Sequence, residues 1–201
     1  NDNGEVIRTD QYQYNAQQQL RYENIQWVGQ PAQELFYEYQ LIHPQDPASW
    51  RLSQVRRPSV YAGHWATMSY QYNPQGLLTR KTQTGYHPNG QPLLRQIDYG
   101  YDTQGRLIWE NGALPDVPNA PLKSDIQVYR YDAHGRLKQL LQPAQQASIS
   151  IERDDWGQVV AYRRQHGQQI EHLSYQYHPQ GLLKELSYQN HASTDTKTLQ
   201  Y

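Results

Sequence analysis

The chain has 201 residues, a net charge of -1 at pH 7 and a mean hydropathy of -1.00. The near-neutral charge gives no general attraction to nucleic acid, no run of ~20 apolar residues is present to span a membrane, and the absence of cysteine excludes disulfides, thiolate metal sites and a cysteine nucleophile. With 18 Tyr and 5 Trp against one Phe and one Met, burial has to come from amphipathic aromatic rings. This composition favours a thin sheet with one wet face.

The first recognisable element lies within about residues 1–22. Tyr12 and Tyr14 are two residues apart, so both rings lie on one face of a strand. Asn15 then begins a turn, because its side chain can accept hydrogen bonds from the backbone that follows. Gln18 stands where later copies of the same pattern have glycine. The segment therefore predicts a β-hairpin that belongs to a repeat.

Residues 23–69 break the repeat and form a non-repeat insertion. Alternation over 34–42 predicts one strand, and we expect further short strands at 49–55 and 59–61. The insertion also concentrates the residue types that form binding hot spots, namely Trp50, Arg56, Arg57, His64 and Trp65. We expect these residues to bind a partner. The alternative is that both tryptophans cap the end of the sheet core and that the arginine pair is solvated.

The full repeat occupies about residues 70–190. In each copy Tyr-x-Tyr is followed by Asn, Asp or His, then by Gly three residues later and by a Leu that begins the returning strand. Near-complete copies occupy 70–78, 99–107, 129–137 and 175–183, and weaker copies occupy 86–93 and 151–159. The polar turn residue and the glycine reverse the chain, so each copy predicts a β-hairpin. Because one isolated hairpin is marginal in water, neighbouring hairpins must pair edge to edge.

A Pro-rich segment at 110–124 separates two good copies of the repeat. Its prolines prevent regular strand pairing, so we expect a loop. Long loops on a repeat scaffold often carry recognition, and Trp109 and Asp116 are therefore further candidate partner-binding residues. A mobile spacer is the alternative interpretation of this segment.

No catalytic motif is present in the sequence, and we predict no catalytic residue, no metal and no cofactor. Asp154 and Asp155 lie near Glu152, but Asp154 aligns with the turn residue of the other copies, and turn formation explains it. His166 and His172 lack an evident third ligand for a metal. Aromatic strands could also stack sugars, so a carbohydrate-binding surface stays open as an alternative.

The pattern Tyr-x-Tyr-Asp-x-x-Gly-Arg-Leu resembles the YD repeat of RHS-type bacterial proteins, and residues 101–107 and 131–137 match it best. Large members of that family coil the repeat into a hollow β shell around a toxin domain, whereas small members are short exported or lipid-anchored proteins. This chain is too short to close a large shell, and it lacks the Tyr-rich segment with Asp-Pro that ends such shells. The resemblance therefore implies a small sheet or a fragment.

We accordingly predict an all-β fold, with one β-repeat domain over residues 1–201. It is an antiparallel array of YD-type β-hairpin repeats that forms a curved or rolled sheet, with Tyr and Leu side chains inside and Gln and Arg side chains outside.

The predicted function is a non-enzymatic exported bacterial module, periplasmic, in the cell envelope or secreted, that binds another protein and not nucleic acid. A specific version is an immunity-type lipoprotein against a secreted toxin, with a lipid anchor on a removed N-terminus. The alternatives are a fragment of an RHS-type shell that encloses a toxin, a carbohydrate-binding surface protein, and an enzyme with a dispersed acid pair.

Overall fold

A computed structural model describes residues 8–114, 123–190 and 196–200. The beginning of the first repeat range at 1–22, the middle of the Pro-rich segment and the candidate residue Asp116 lie outside the described residues. No helix within the described ranges is long and apolar enough to cross a membrane.

The described residues form antiparallel strands and one short 3-10 helix at Pro143–Gln145. The strands are β1 Arg8–Tyr14, β2 Leu20–Trp27, β3 Gln33–Leu41, β4 Trp50–Pro58, β5 Trp65–Tyr72, β6 Leu78–Tyr86, β7 Pro92–Tyr101, β8 Leu107–Leu114, β9 Lys123–Tyr131, β10 Leu137–Gln142, β11 Ala147–Arg153, β12 Val159–His166, β13 Gln169–Tyr177, β14 Leu183–Asn190 and β15 Thr196–Gln200. Within each of the two units described below, the strands neighbour one another in the order of the chain. The predicted all-β class and the antiparallel array of hairpins are confirmed.

The chain divides into two compact units. The first contains residues 1–99 and 112–122, and the second contains residues 100–111 and 123–201. In the first unit, the segment that breaks the repeat still forms hairpins, because β2 pairs with β3, β3 with β4 and β4 with β5. In the second unit the same antiparallel pairing runs from β9 to β15.

Two strand boundaries around the hot-spot residues differ from the sequence prediction. The strand expected at 49–55 continues to Pro58, so Arg56 and Arg57 lie within β4. The prediction of a strand at 59–61 was wrong, because residues 59–64 form the turn between β4 and β5. There the backbone N–H of Ser59 donates to the carbonyl of His64 at 2.8 Å. The strands also extend further into the Pro-rich segment at 110–124 than predicted, because β8 ends at Leu114 and β9 begins at Lys123.

Each repeat turn is built as its sequence predicts. The Asn73 side-chain oxygen accepts the backbone N–H groups of Gln75 at 3.1 Å and Leu77 at 2.9 Å. Gly76 has a φ of +75°, a conformation that a residue without Cβ adopts at no steric cost. In the first copy Gln18 takes this place with a φ of +61°. The turn is therefore set by local chemistry, and one copy maintains it at the cost of a strained glutamine.

A tyrosine near the end of a strand ties its hairpin to the preceding one at several places in the described part of the chain. Its hydroxyl donates to the backbone carbonyl of the residue that begins an earlier strand or lies near its beginning. These bonds join Tyr39 to Leu20 at 3.0 Å, Tyr72 to Leu52 at 2.8 Å, Tyr131 to Leu107 at 2.7 Å and Tyr177 to Val159 at 2.8 Å. In the copy that has no tyrosines, the Arg153 guanidinium donates to the carbonyl of Leu137 at 3.1 Å and replaces the tyrosine bond. We call this recurrent bond the carbonyl tether.

The described residues contain no fully buried hydrophobic side chain. Only Ser49, which is 4% exposed, is a buried polar residue there, and its hydroxyl donates to the carbonyl of Asp46 at 2.7 Å within the turn before β4. The apolar side chains of the described strands are half-buried or exposed. Stability therefore depends on cross-strand pairs and on hydrogen bonds rather than on a thick core.

Candidate functional site

The two arginines proposed as one partner-binding pair lie on opposite faces of β4. Arg56 is opposite Phe36 of β3 and Thr67 of β5, whereas Arg57 is opposite Ala66. Successive residues of a strand point to opposite faces, and cross-strand partners share a face. Only Arg56 therefore belongs to the face that carries Phe36.

Arg56 lies within an aromatic group that extends across neighbouring strands. The ring centroids of Tyr22 and Phe36 are 4.9 Å apart, and those of Phe36 and Trp65 are 5.5 Å apart in an edge-to-face arrangement. The Arg56 guanidinium carbon lies 5.9 Å from the Phe36 ring centroid and 5.5 Å from that of Trp65. At these distances the cation is attracted by both ring faces. We call the four residues Tyr22, Phe36, Arg56 and Trp65 the Trp65 patch.

The Trp65 patch lies on the more polar face of the first unit. Along β5 the side chains that share a face with Trp65 are Thr67, Ser69 and Gln71, and the face continues onto the Arg80–Asp98 ion pair at 2.5 Å. Trp65 is 43% exposed. Aromatic rings on a face that is otherwise polar gain little from folding alone, so their position favours a role in binding.

The polar groups of the patch and its border are only partly paired. The Tyr22 hydroxyl donates to the Glu34 carboxylate at 2.8 Å, and this hydrogen bond, together with burial, raises the pKa of Tyr22. The Arg56 Nε and the Asn24 side-chain oxygen have no hydrogen-bond partner among the described residues. The patch thus offers a cation held by rings, with a donor that no described carboxylate or carbonyl satisfies.

Trp50 is separate from the Trp65 patch. It begins β4 opposite Leu41, whereas Trp65 is opposite Pro58 at the other end of that strand. The eight steps along β4 from Trp50 to Pro58 span ~26 Å at about 3.3 Å per residue. Leu41 lies on the face of β3 opposite to Phe36, and so does its partner Trp50. The two tryptophans therefore cannot form one contact surface.

His64 belongs to a third group, between two turns of the first unit. Its ring centroid lies 4.9 Å from that of Tyr61 and 4.4 Å from that of Tyr86. Tyr61 packs closely on Gly90, where an added Cβ would stand 2.9 Å from a ring carbon. These contacts place His64 in the packing of neighbouring turns.

Trp109 lies in the second unit, on β8. Its indole packs on Gly100 of β7, so closely that any side chain at that position would collide with the indole nitrogen. This contact explains why one copy of the repeat has glycine between its two tyrosines. Asp116, the remaining candidate, lies outside the described residues.

The sequence interpretation missed Tyr22 and Phe36, which complete the patch. Alternation over 34–42 places the odd-numbered residues on one face of the strand and Phe36 on the other. Phe36 is the one phenylalanine of the chain, at a position that alternation makes solvent-facing. That conflict was the available signal. No group of three or more His, Asp or Glu residues within the described part of the chain could hold a metal ion.

No protein-family model matches the sequence, and no curated protein matches it. Among solved structures, a TcdB2-TccC3-Cdc42 crystal structure is similar over 96% of this chain and 14% of that chain, with 13% identity and a TM-score of 0.27. A crystal structure of TcdB2-TccC3 without its hypervariable C-terminal region is similar over 93% of this chain and 14% of that chain, with 12% identity and a TM-score of 0.25. A porin-like protein from Bacteroides uniformis is similar over 95% of this chain and 86% of that chain, with 13% identity and a TM-score of 0.37.

Proposed function

We propose that this chain is a non-enzymatic, exported bacterial module that binds another protein through the Trp65 patch. The observation that carries the proposal is the contact of Arg56 with the rings of Phe36 and Trp65 on an otherwise polar sheet face. Trp, Tyr and Arg are the residue types that dominate interface hot spots. The patch is held by four paired strands, so its side chains are ordered before a partner binds.

The exposed part of Trp65 sets the size of the expected effect. With 43% of the residue exposed, a covering partner would remove ~100 Å² of largely apolar surface from water. At ~25 cal/mol per Å² this contributes about 2.5 kcal/mol to binding. A carboxylate of the partner that reaches Arg56 would add a charge-assisted hydrogen bond.

The resemblance of residues 101–107 and 131–137 to YD repeats supports a more specific version. In it the chain is an immunity-type lipoprotein of the periplasm or cell envelope, and its partner is a secreted toxin. This version is supported by analogy of the repeat and by no contact in the structure. If the chain is instead part of a toxin-enclosing shell, it lies inside a much longer reading frame, which sequencing of the gene decides.

The test begins with two variants of the chain, each of which carries a photo-crosslinking amino acid on a different face of β5. Thr67 is opposite Arg56 and shares its face, while Met68 follows on the other face and serves as the control position. Proteins that crosslink in the native host only from position 67 are identified by mass spectrometry and purified. Equal capture from both positions contradicts the proposed surface.

Calorimetry with the purified partner then tests the residues. Trp65→Ala should weaken binding by about 2 kcal/mol, which is roughly 30-fold. The matched controls are Trp50→Ala and Arg57→Ala, which remove the same residue types from the opposite face and should leave the affinity unchanged. If Trp65→Ala folds normally and binds as tightly as the unchanged chain, the Trp65 patch is not the interface.

A further inference from the structure

A cavity of about 620 Å³ lies in the second unit, between the turn at 154–157 and the turn at 178–181. Val160 of β12 and Tyr175 of β13 line it from the strands, and Trp156 lines it from the first turn. The amide of Gln158 donates to the carbonyl of Gly181 at 3.2 Å and joins the two turns beside it. The volume is within the range of ~300–1,000 Å³ that small-molecule sites occupy.

Trp156 is not needed for the turn that carries it. The turn is made by the Asp154 Oδ1, which accepts the backbone N–H groups of Trp156 at 3.1 Å and Gln158 at 2.8 Å, and by Gly157 at a φ of +91°. The corresponding position in the other repeat turns is polar, as Gln17, Gln75, Asn89, Gln104, His134 and Gln180 show. Trp156 is 87% exposed, so its indole buries little surface within the chain. A large ring at this place is explained by a ligand better than by the fold.

Asp154 also differs from its counterparts in the repeat. In two other turns an arginine four residues later neutralises the aspartate, because Arg106 Nε donates to Asp102 at 2.7 Å and Arg136 Nε donates to Asp132 at 2.8 Å. Gln158 replaces that arginine here. Its side chain bonds to the neighbouring turn, which leaves the second oxygen of Asp154 without the arginine that its counterparts have. This carboxylate lines the cavity as an additional acceptor.

The chemistry of the lining identifies the class of ligand. Trp156 and Tyr175 provide ring faces, while Asp154, Gln158, Gln176 and His178 provide hydrogen-bonding groups. No lysine or arginine is among the residues that line this cavity, and the Arg136 guanidinium, which lies against Gly157 of the first turn, is already paired with Asp132. A phosphate or sulfate group would therefore meet the Asp154 carboxylate without an unpaired cation in the lining. A neutral ring with an apolar C–H face and several hydroxyl groups satisfies both kinds of lining. We propose that this cavity binds a neutral oligosaccharide, with one pyranose ring stacked on Trp156 and its hydroxyls bonded to Asp154 and Gln158.

A proline-rich peptide is the competing occupant, because such peptides also dock in aromatic grooves. The number of acceptor and donor side chains around the cavity favours the saccharide. The site is independent of the Trp65 patch, which lies in the first unit.

The test uses the full chain labelled with ¹⁵N, in which the five tryptophans give five indole N–H signals in NMR spectra. Cellotriose, maltotriose and tri-N-acetylchitotriose are titrated to millimolar concentration, beside a sulfated heparin tetrasaccharide and a decaproline peptide. We expect at least one neutral trisaccharide to shift the Trp156 signal in a saturable manner, and the sulfated sugar to leave it unchanged. If no neutral trisaccharide shifts it, or if only decaproline does, the proposal is wrong.

Substitutions separate the ligand contact from the fold. Trp156→Gln introduces the residue that four other turns carry, so we expect unchanged thermal unfolding and an affinity weaker by about tenfold or more, the scale seen when a stacking ring is removed. Asp154→Asn keeps the turn acceptor, as Asn73 does, and should cause a smaller loss. Trp50→Gln is the control in the first unit and should leave saccharide binding unchanged. Equal affinity of the unchanged chain and of Trp156→Gln would overturn the site.

Discussion

The carbonyl tether makes a sharp prediction about the two tyrosines of one repeat. The Tyr72 hydroxyl donates to the Leu52 carbonyl at 2.8 Å, and burial raises the pKa of Tyr72. Tyr70 lies two residues earlier in the same strand, and its hydroxyl has no hydrogen-bond partner among the described residues. Tyr72→Phe and Tyr70→Phe each remove a single oxygen and keep the ring, so the pair isolates the hydrogen bond.

The magnitude follows from the environment of each hydroxyl. A neutral hydrogen bond contributes about 1 kcal/mol net, and the cost rises toward about 2 kcal/mol when the remaining carbonyl is left unpaired. Tyr72→Phe should therefore lower the free energy of unfolding by about 1–2 kcal/mol. Tyr70→Phe removes an oxygen without a partner and should stay within about 0.5 kcal/mol of the unchanged chain.

Urea unfolding followed by far-UV circular dichroism measures both variants under the same conditions. The change must appear in the midpoint with an unchanged slope, because the surface exposed on unfolding does not differ between the two. Equal stability of Tyr72→Phe and Tyr70→Phe would show that the bond to Leu52 adds nothing and would refute the role of the carbonyl tether.

Three further predictions concern the repeat. Arg153→Met removes the donor to Leu137 and should lower the free energy of unfolding in urea by about 1 kcal/mol, whereas Arg153→Tyr introduces the usual tether residue and should recover most of that loss. Equal destabilisation by the two variants would contradict the equivalence of arginine and tyrosine as tether donors. Gln18→Gly relieves a left-handed backbone at φ +61° and should stabilise the chain by roughly 0.5–1 kcal/mol, after the larger unfolded-state entropy of glycine is subtracted; a lower unfolding midpoint would oppose this account. The backbone N–H of Arg136, together with its side chain, lowers the pKa of Asp132 from 3.8 to about 2, so the stability that the Asp132 carboxylate contributes is fully present above pH 3.8 and is lost as the pH falls through about 2. If ¹³C NMR shows the Asp132 carboxyl titrating near 3.8, the turn geometry is contradicted.

The hairpins could be predicted from the sequence because their information is local. Asn73 and Gly76 lie within four residues of the turn they make, and the same spacing recurs along the chain. The carbonyl tether could not be predicted in this way. Tyr131 reaches the carbonyl of a residue 24 positions earlier, and that distance varies with the length of each connection. Only the paired strands bring the two groups together.

The candidate site was predicted in composition but not in arrangement. The residues Arg56 and Trp65 were named, and the structure brings them into contact. Arg57 and Trp50 were grouped with them because clustering along the chain was taken for clustering in space. Neighbouring residues of a strand, such as Arg56 and Arg57, point to opposite faces of the sheet, and Trp50 lies at the other end of β4 from the residue opposite Trp65. Phe36 belongs to the patch because β3 pairs with β4 and places it opposite Arg56, and the sequence pattern does not specify this pairing.

The carbonyl tether also determines how such a chain can change its length. Each tether joins a hairpin only to the hairpin before it, so its donor and acceptor are carried by adjacent copies. Duplication or deletion of one whole copy regenerates an equivalent donor and acceptor at the new junction, whereas deletion of half a copy leaves one of them without its counterpart. A change in length by whole hairpins therefore preserves the tethers, and Arg153 shows that a donor other than tyrosine can make this bond at one junction.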